Sequence, residues 1–373
     1  MNILAIETSC DETACAIVQN GTKEIYSTLA SSAKMHEQTG GVVPELAARK
    51  QVESIVPVID ACVTGSGLDY KRDINAIAVT VGPGLIGSLI VGVSAAKSLS
   101  LAWDKPLIPV NHLVGHIYGN FVTQSYPSAS PNVDNPDWTS IEFPAVVLVV
   151  SGGHTDLVLM HDHGSFEYLG GTVDDAAGEA FDKIARLLGL AKYFGGVQLS
   201  KKAAECVENT LSGKFPRPML DQDNFDFSFS GLKTYVSRLV ERENYSIEVI
   251  CCEFETAVCD VLIKKTLKAC KKFGAKSILL GGGVSANTQL RSRMAFEAEG
   301  LGVPVFVPPL RLCSDNAVYI ASAAYFKYVS KQRFGAAGSD IASAAYFKYT
   351  GNYKPPDLKD INADPSLGIM DEV

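Results

Sequence analysis

The sequence predicts an α/β protein built as two related halves with a cleft between them. Three observations carry this. Residues 2–31 read as strand, polar turn, strand and strand, and residues 145–171 repeat that order around a glycine turn. Strand-length apolar runs alternate with longer helical stretches through the rest of the chain. A length of 373 residues fits about two domains. The boundaries expected are 1–140, then 141–350 with inserted helices, then a polar tail over 351–373.

Asn2 to Thr8 is an apolar strand, Ser9-Cys10-Asp11-Glu12-Thr13 a polar turn, and Ala14 to Gln19 a second strand. Asn20-Gly21 is a hairpin signal leading to a third strand, Glu24 to Ala30. Pro44 to Thr64 reads as a helix, Ile74 to Val81 as a buried strand, and Leu89 to Leu101 as a helix. Gly82-Pro83-Gly84-Leu85-Ile86-Gly87-Ser88 joins the last two. Such a turn presents backbone N–H groups to an anion, or merely lets a helix pack tightly. A strand over 107–110 runs into Asn111-His112-Leu113-Val114-Gly115-His116. Residues 125–140, rich in Pro, Ser, Asn and Asp, read as a surface loop at the border of the halves.

The second half opens with Ala145 to Val150, the turn Ser151-Gly152-Gly153-His154, then strands Leu157 to His161 and Phe166 to Gly171. A helix runs to Leu188, and another spans Leu199 to Val207. Phe225 to Thr234 alternates aromatic and polar residues, a strand by period, and leads into the helix Leu232 to Glu241. Val249 to Lys272 is a long amphipathic helix. The strand Ser277 to Leu280 meets Gly281-Gly282-Gly283 before another helix, a pattern that invites phosphate at the helix N-terminus. Val303 to Val307 is a strand and Ala317 to Tyr328 a helix. Ile320 to Tyr328 recurs identically as Ile341 to Tyr349, a local duplication and not a solenoid unit. The tail after Thr350 is polar and expected to be loosely ordered.

Composition narrows the function. With 33 basic and 41 acidic residues the net charge is −8. That is no signature of an unaided nucleic-acid binder, because phosphate contacts need Lys and Arg. RNA handling would need a local basic patch or a partner. No apolar run reaches membrane-spanning length, and the chain enters a strand at once, so neither membrane nor leader is expected. Nine cysteines without a CxxC pair read as reduced thiols in a cytoplasmic protein.

Two groups of side chains suggest chemistry. If His112 opens a helix, His116 lies on the same face one turn later, and both rings reach one metal ion. The pair needs a third ligand; otherwise it is two satisfied histidines at a helix start. Asp175, Glu179 and Asp182 crowd two turns of one helix, so they are solvated, paired, or face a cation or donors. Asp315 stands near a helix N-terminus, where an ordinary role is an N-cap.

Taken together, IETSCDET (6–13), GGVVPELAAR (40–49), GPGLIGSL (82–89), NHLVGH (111–116), VSGGHT (150–155), DDAAGEAFDK (174–183), FPRPM (215–219), DFSFSGLKT (226–234), GGGVSAN (281–287) and CSDN (313–316) run in order along nearly the whole chain. By these motifs the sequence resembles the TsaD family, also called Gcp or YgjD, in its bacterial or mitochondrial branch. The resemblance implies the actin-like and sugar-kinase-like fold and a tRNA N6-adenosine threonylcarbamoyltransferase. The reaction would carry the threonylcarbamoyl group from threonylcarbamoyl-AMP to the adenosine beside the anticodon, in tRNAs reading codons that begin with adenine. It implies a divalent metal on His112, His116 and Asp315, with Fe(2+) ahead of Zn(2+). Substrate contacts would come from Val149, Val150, Ser151, Gly152, Gly153, Asp182, Gly196 and Asn287. Asp11 and Glu12 would stand at the reacting groups. Partners implied are a TsaB-like paralogue and a TsaE-like ATPase, or a second copy in a homodimer.

The chain departs from the family in one place. The usual proline-glycine-glycine-proline turn reads Phe194-Gly195-Gly196-Val197, with an extra residue near Lys192, and Ser200 stands where many relatives carry an acid. This bears on the sugar side of the nucleotide site. Alternatives are a small-molecule kinase of the same superfamily, which has no need of a His-His-Asp site, and a non-catalytic scaffold, which would be expected to lack it. A metalloprotease would want the glutamate of HExxH, which is absent here.

Overall fold

The computed structural model describes residues 1–123, 137–333, 356–371 and 373. The loop expected over 125–140 lies largely outside the described residues, as does the second copy of the duplicated segment.

Each half is a five-stranded sheet of the same design. In the first, β1 (Asn2–Glu7), β2 (Glu12–Gln19), β3 (Lys23–Ser31), β4 (Ala76–Gly82) and β5 (Leu107–Asn111) lie in the order β3-β2-β1-β4-β5. In the second, β6 (Ala145–Val150), β7 (Thr155–Asp162), β8 (Ser165–Gly171), β9 (Ser277–Gly281) and β10 (Val305–Phe306) lie in the order β10-β9-β6-β7-β8. Three antiparallel strands come first in each, and two parallel strands are added beside the first of them. β1 and β6 are apolar almost throughout because both faces are covered.

Helices supply the parallel crossovers. After a short helix α1 (Ala33–Thr39), α2 (Pro44–Ser66) and α3 (Ile86–Trp103) pack together against the first sheet. By length and composition alone α3 could cross a membrane, where the sequence reading expects no such segment; here it packs on β4 and α2. The short helix α4 (His112–Tyr118) follows β5. In the second half α5 (Ala177–Leu187), α6 (Gly195–Ala204), α7 (Ser230–Arg242), α8 (Ile247–Phe273) and α9 (Thr288–Glu299) surround their sheet, and α10 (Ala317–Arg333) returns to the first. One core joins the halves: Ile3, Ala5 and Val110 of the first sheet, Val147, Val149 and Leu279 of the second, and Tyr319, Ile320 and Ala323 of α10.

Two expectations change. The segment from Phe225 makes only an isolated bridge, between Phe227 and Thr172, and is no strand. Phe225, Phe227 and Phe229 are buried as the period implies. Asp174, however, accepts hydrogen bonds from the Phe229 and Ser230 amides and from both Ser228 and Ser230 hydroxyls, which starts α7 at once. The tail is not loose where it is described. Ile361, Leu367 and Ile369 are buried, and each such burial contributes about 1.5–3 kcal/mol.

Candidate metal centre and its cleft

The centre begins with a helix cap. The Asn111 side-chain oxygen accepts from the amides of Leu113 (2.9 Å) and Val114 (3.4 Å), so α4 starts at His112. His116 then falls on the same face, with ring centroids 4.6 Å apart. Gly115 lets α10 approach: a Cβ there would stand 2.7 Å from the Tyr319 ring. That approach brings in Asp315. Asn316 caps α10 instead, accepting from the amides of Val318 (3.0 Å) and Tyr319 (3.2 Å), which leaves Asp315 free of the N-cap role.

The ligand atoms of His112, His116 and Asp315 lie within 4.8 Å of one another. Nε2 of His112 and Nε2 of His116 face the same Asp315 oxygen, Oδ1, at 3.5 and 3.6 Å. These gaps exceed a good hydrogen bond and suit an ion held by bonds of about 2.0–2.2 Å. The far nitrogen of His112, Nδ1, lies 3.1 Å from Oε2 of the fully buried Glu7. A carboxylate behind a histidine fixes its tautomer with Nε2 turned to the ion. The donor set therefore fits a divalent cation.

The charges agree. Burial opposes a charged His112, yet Asp315 and Glu7 overcome it and raise its pKa to about 9. Burial, then the His112 charge, holds His116 well below its ordinary value. Burial raises Asp315 to about 6 against the pull of His112. His154, from the turn of the second half, is lowered to about 4 by burial and by His112. Two carboxylates, Glu7 and Asp315, thus flank the His112 imidazole.

Around it stand the other predicted residues. Asp11 is buried and accepts from the Tyr193 hydroxyl at 2.9 Å, a bond across the cleft between the halves. Glu12 accepts from the Ser31 hydroxyl at 2.9 Å, and burial raises it to about 7. Val149 and Val150 have wholly buried side chains, so only their backbone could meet a ligand. Ser151 shapes its turn, its amide donating to the His154 carbonyl at 2.9 Å, while Gly152 and Gly153 are exposed, and a Cβ at either would meet nothing within 4 Å. Asp182 accepts from the Gly196 amide at 3.0 Å, and burial raises its pKa. Asn287 donates to Glu255 (2.6 Å) and Ser200 (3.0 Å) while capping α9.

Other expectations resolve differently. Lys183 pairs with Asp175 (2.7 Å) and Glu179 (3.0 Å), so two of the three crowded carboxylates are simply neutralised. In the turn after β4, two amides are taken up within the fold: Gly84 and Leu85 donate to the Pro365 (3.4 Å) and Ser9 (2.7 Å) carbonyls. A Cβ at Gly84 would stand 2.4 Å from the Ser9 carbonyl oxygen, the close approach that the packing alternative expects. Sequence reasoning missed Glu7, Tyr193 and Glu255. Glu7 had a signal, being the one charge in an apolar strand; Tyr193 and Glu255 had none.

A two-halved α/β fold with a His-His-Asp cluster at its cleft defines the class: a protein of the actin and sugar-kinase architecture, equipped to hold a metal. HypF from T. kodakarensis shares the fold, with a TM-score of 0.58, 15% identity, and coverage of 88% of this chain and 48% of that one. A full-length HypF in the phosphate- and nucleotide-bound form gives 0.57 and 14%, covering 88% of this chain and 46% of its own. At such identities the likeness concerns fold alone.

The family model of TsaD, tRNA N6-adenosine threonylcarbamoyltransferase, matches residues 24–322, and the chain belongs to that family. The enzyme of that name from Moorella thermoacetica is 49% identical over 336 residues, covering 88% of this chain and 93% of its own. The one from Bacillus subtilis is 46% identical over 329 residues, covering 87% and 89%. The chain is accordingly a transferase, as the motifs implied, and not the kinase of the alternative reading.

Proposed function

We propose that this chain moves the threonylcarbamoyl group from threonylcarbamoyl-AMP to N6 of the adenosine beside the anticodon, in tRNAs that read codons beginning with adenine. The observation that carries the reading is the convergence of His112, His116 and Asp315 on one point at the cleft. His112, His116 and Asp315 would hold a divalent ion; two imidazoles with one carboxylate suit Fe(2+) and Zn(2+) alike, and the family resemblance puts Fe(2+) first. Bound there, the ion supplies Lewis acidity toward phosphate and carbamoyl oxygens.

The reaction is acyl transfer from a mixed anhydride. A bond forms between N6 and the carbamoyl carbon, the bond from that carbon to the phosphate oxygen breaks, AMP leaves, and N6 loses a proton. AMP is a good leaving group, so positioning carries much of the barrier. The open backbone at Gly152 and Gly153 suits the phosphate, with Ser151 fixing the turn. Val149 and Val150 contribute through backbone. Asp182, Gly196 and Asn287 suit the nucleoside side, where Ser200 replaces the acid of many relatives. Asp11 is the candidate to take the proton, with Glu12 beside it.

A protein partner is part of the proposal: a TsaB-like paralogue with a TsaE-like ATPase, or a second copy. Val52 and Val56 on α2, with Ile90 and Leu101 on α3, leave apolar side chains exposed on adjacent helices, as partner surfaces do. Action in the cytoplasm and domain limits at 1–140, 141–350 and 351–373 complete the reading.

The test is transfer of labelled threonine, supplied as threonylcarbamoyl-AMP, to unmodified tRNA reading codons that begin with adenine. It is run with and without the partner proteins, beside the doubly substituted His112→Ala/His116→Ala chain. Label on tRNA that disappears in the variant supports the reaction and the metal site together. No label under any combination of partners would refute it.

A further inference from the structure

The described tail touches three parts of the metal centre's support. The Asp364 amide donates to the Val81 carbonyl at 2.7 Å, and the Pro365 carbonyl accepts from the Gly84 amide at 3.4 Å, so the tail lies on the turn after β4. Gly82 leaves no room for anything else: a Cβ there would come within 1.7 Å of the Asp364 carbonyl oxygen. The Gly368 carbonyl accepts from the Asn111 side-chain nitrogen at 2.8 Å. Lys327 on α10 donates to the backbone oxygens of Pro109 (2.7 Å) and Val373 (2.5 Å). Leu367 and Ile369, on either side of Gly368, are buried and anchor it.

Asn111 is the link that matters. One amide group does two jobs: its oxygen caps α4, and its nitrogen is held by the tail. Asn111 is only 3% exposed, so without Gly368 its N–H would be left buried and unpaired, or the side chain would turn. Either outcome disturbs the cap, and His112 is the next residue.

We propose that residues 364–371, with Val373, form a strap that positions the first turn of α4, and through it His112 and His116, for metal binding. Through Lys327 the strap also reaches β5, which runs into α4, and α10, which follows Asp315, and so it braces the elements that flank all three ligands. The proposal rests on the reading of His112, His116 and Asp315 as ligands, and it makes Asn111 and the tail positioning groups.

Two variants test it: Asn111→Ser, which keeps a capping oxygen but loses the amide nitrogen that reaches Gly368, and a full chain shortened to end at Ala363. Amide hydrogen exchange over residues 112–118 is measured on metal-free protein, and zinc affinity by competition with a chelator. Expected are faster exchange in α4 and a zinc dissociation constant raised about tenfold, the size seen when the partners of metal ligands are lost, with Asn111→Ser melting as the parent does. Parental exchange and parental zinc affinity in Asn111→Ser would overturn the proposal, whether or not the shortened chain folds. If the parent itself binds no zinc or iron, the metal reading fails, and exchange in α4 alone decides on the strap.

Discussion

The two halves solve one backbone problem with opposite chemistry. β1 and β6 are both six residues long, β2 and β7 both eight, and four residues join each pair. In the first half these are Thr8-Ser9-Cys10-Asp11, in the second Ser151-Gly152-Gly153-His154. The first turn is clamped. Gln51 donates to the Cys10 (3.0 Å) and Glu12 (2.9 Å) carbonyls, Ser88 to Cys10 (3.1 Å), and Ser32 to Asp11 (2.7 Å). The strand before it ends in a buried carboxylate, Glu7, where β6 ends in Val150. The second turn is glycine-rich and open. On the proposed reading, one turn gathers carboxylates behind the metal ion, and the other leaves bare backbone for the donor's phosphate.

The comparison can be broken at its most loaded point. Glu7→Gln keeps the shape but removes the charge behind His112, and metal affinity should fall about 10- to 100-fold, measured by chelator competition. Unchanged affinity would mean that Glu7 serves packing only. In the second turn, Gly153 is the counterpart of Cys10, and a side chain there meets nothing within 4 Å. Gly153→Asp should therefore fold normally yet set a carboxylate against the donor's phosphate. We expect KM for the adenylate to rise roughly 30-fold, an effect of about 2 kcal/mol, with metal content unchanged. A KM like the parent's would remove the turn from the donor site.

The smallest effect concerns a carboxylate on the sheet of the second half. Asp156, on β7, is raised to about 6 by burial, against the hydrogen bond from Tyr168. Its proton is held more tightly folded than unfolded, so this group's contribution to stability falls as pH rises from about 4, its unfolded pKa, to about 6. Asp156→Asn should stabilise the protein by about 1–2 kcal/mol above that window, with the advantage gone below it. Melting curves at the two pH extremes check this, and an equal difference at both would contradict it.

Much of this was legible in the sequence because it is written in local patterns. Alternating apolar runs marked nine of the ten strands closely, and the tenth, β10, is a two-residue piece of the expected Val303–Val307. The spacing of His112 and His116 was readable because a helix turn is local. Asp315 was not reachable by spacing; the family motifs supplied it, since only the packing of α10 on Gly115 brings it near. The aromatic alternation around Phe227 misled because burial of alternate residues does not by itself give a strand a partner. The tail looked polar, yet Ile361, Leu367 and Ile369 fall where the first half leaves apolar surface, and no periodicity announces three residues that far apart.

The most direct measurement is X-ray absorption at the metal edge of the purified protein, beside the Asp315→Ala chain. The account predicts iron or zinc with two imidazole nitrogens and a carboxylate oxygen at about 2.0–2.2 Å, and loss of the oxygen shell or of the metal in the variant. A sulfur shell, or an identical spectrum from the Asp315→Ala chain, would contradict it.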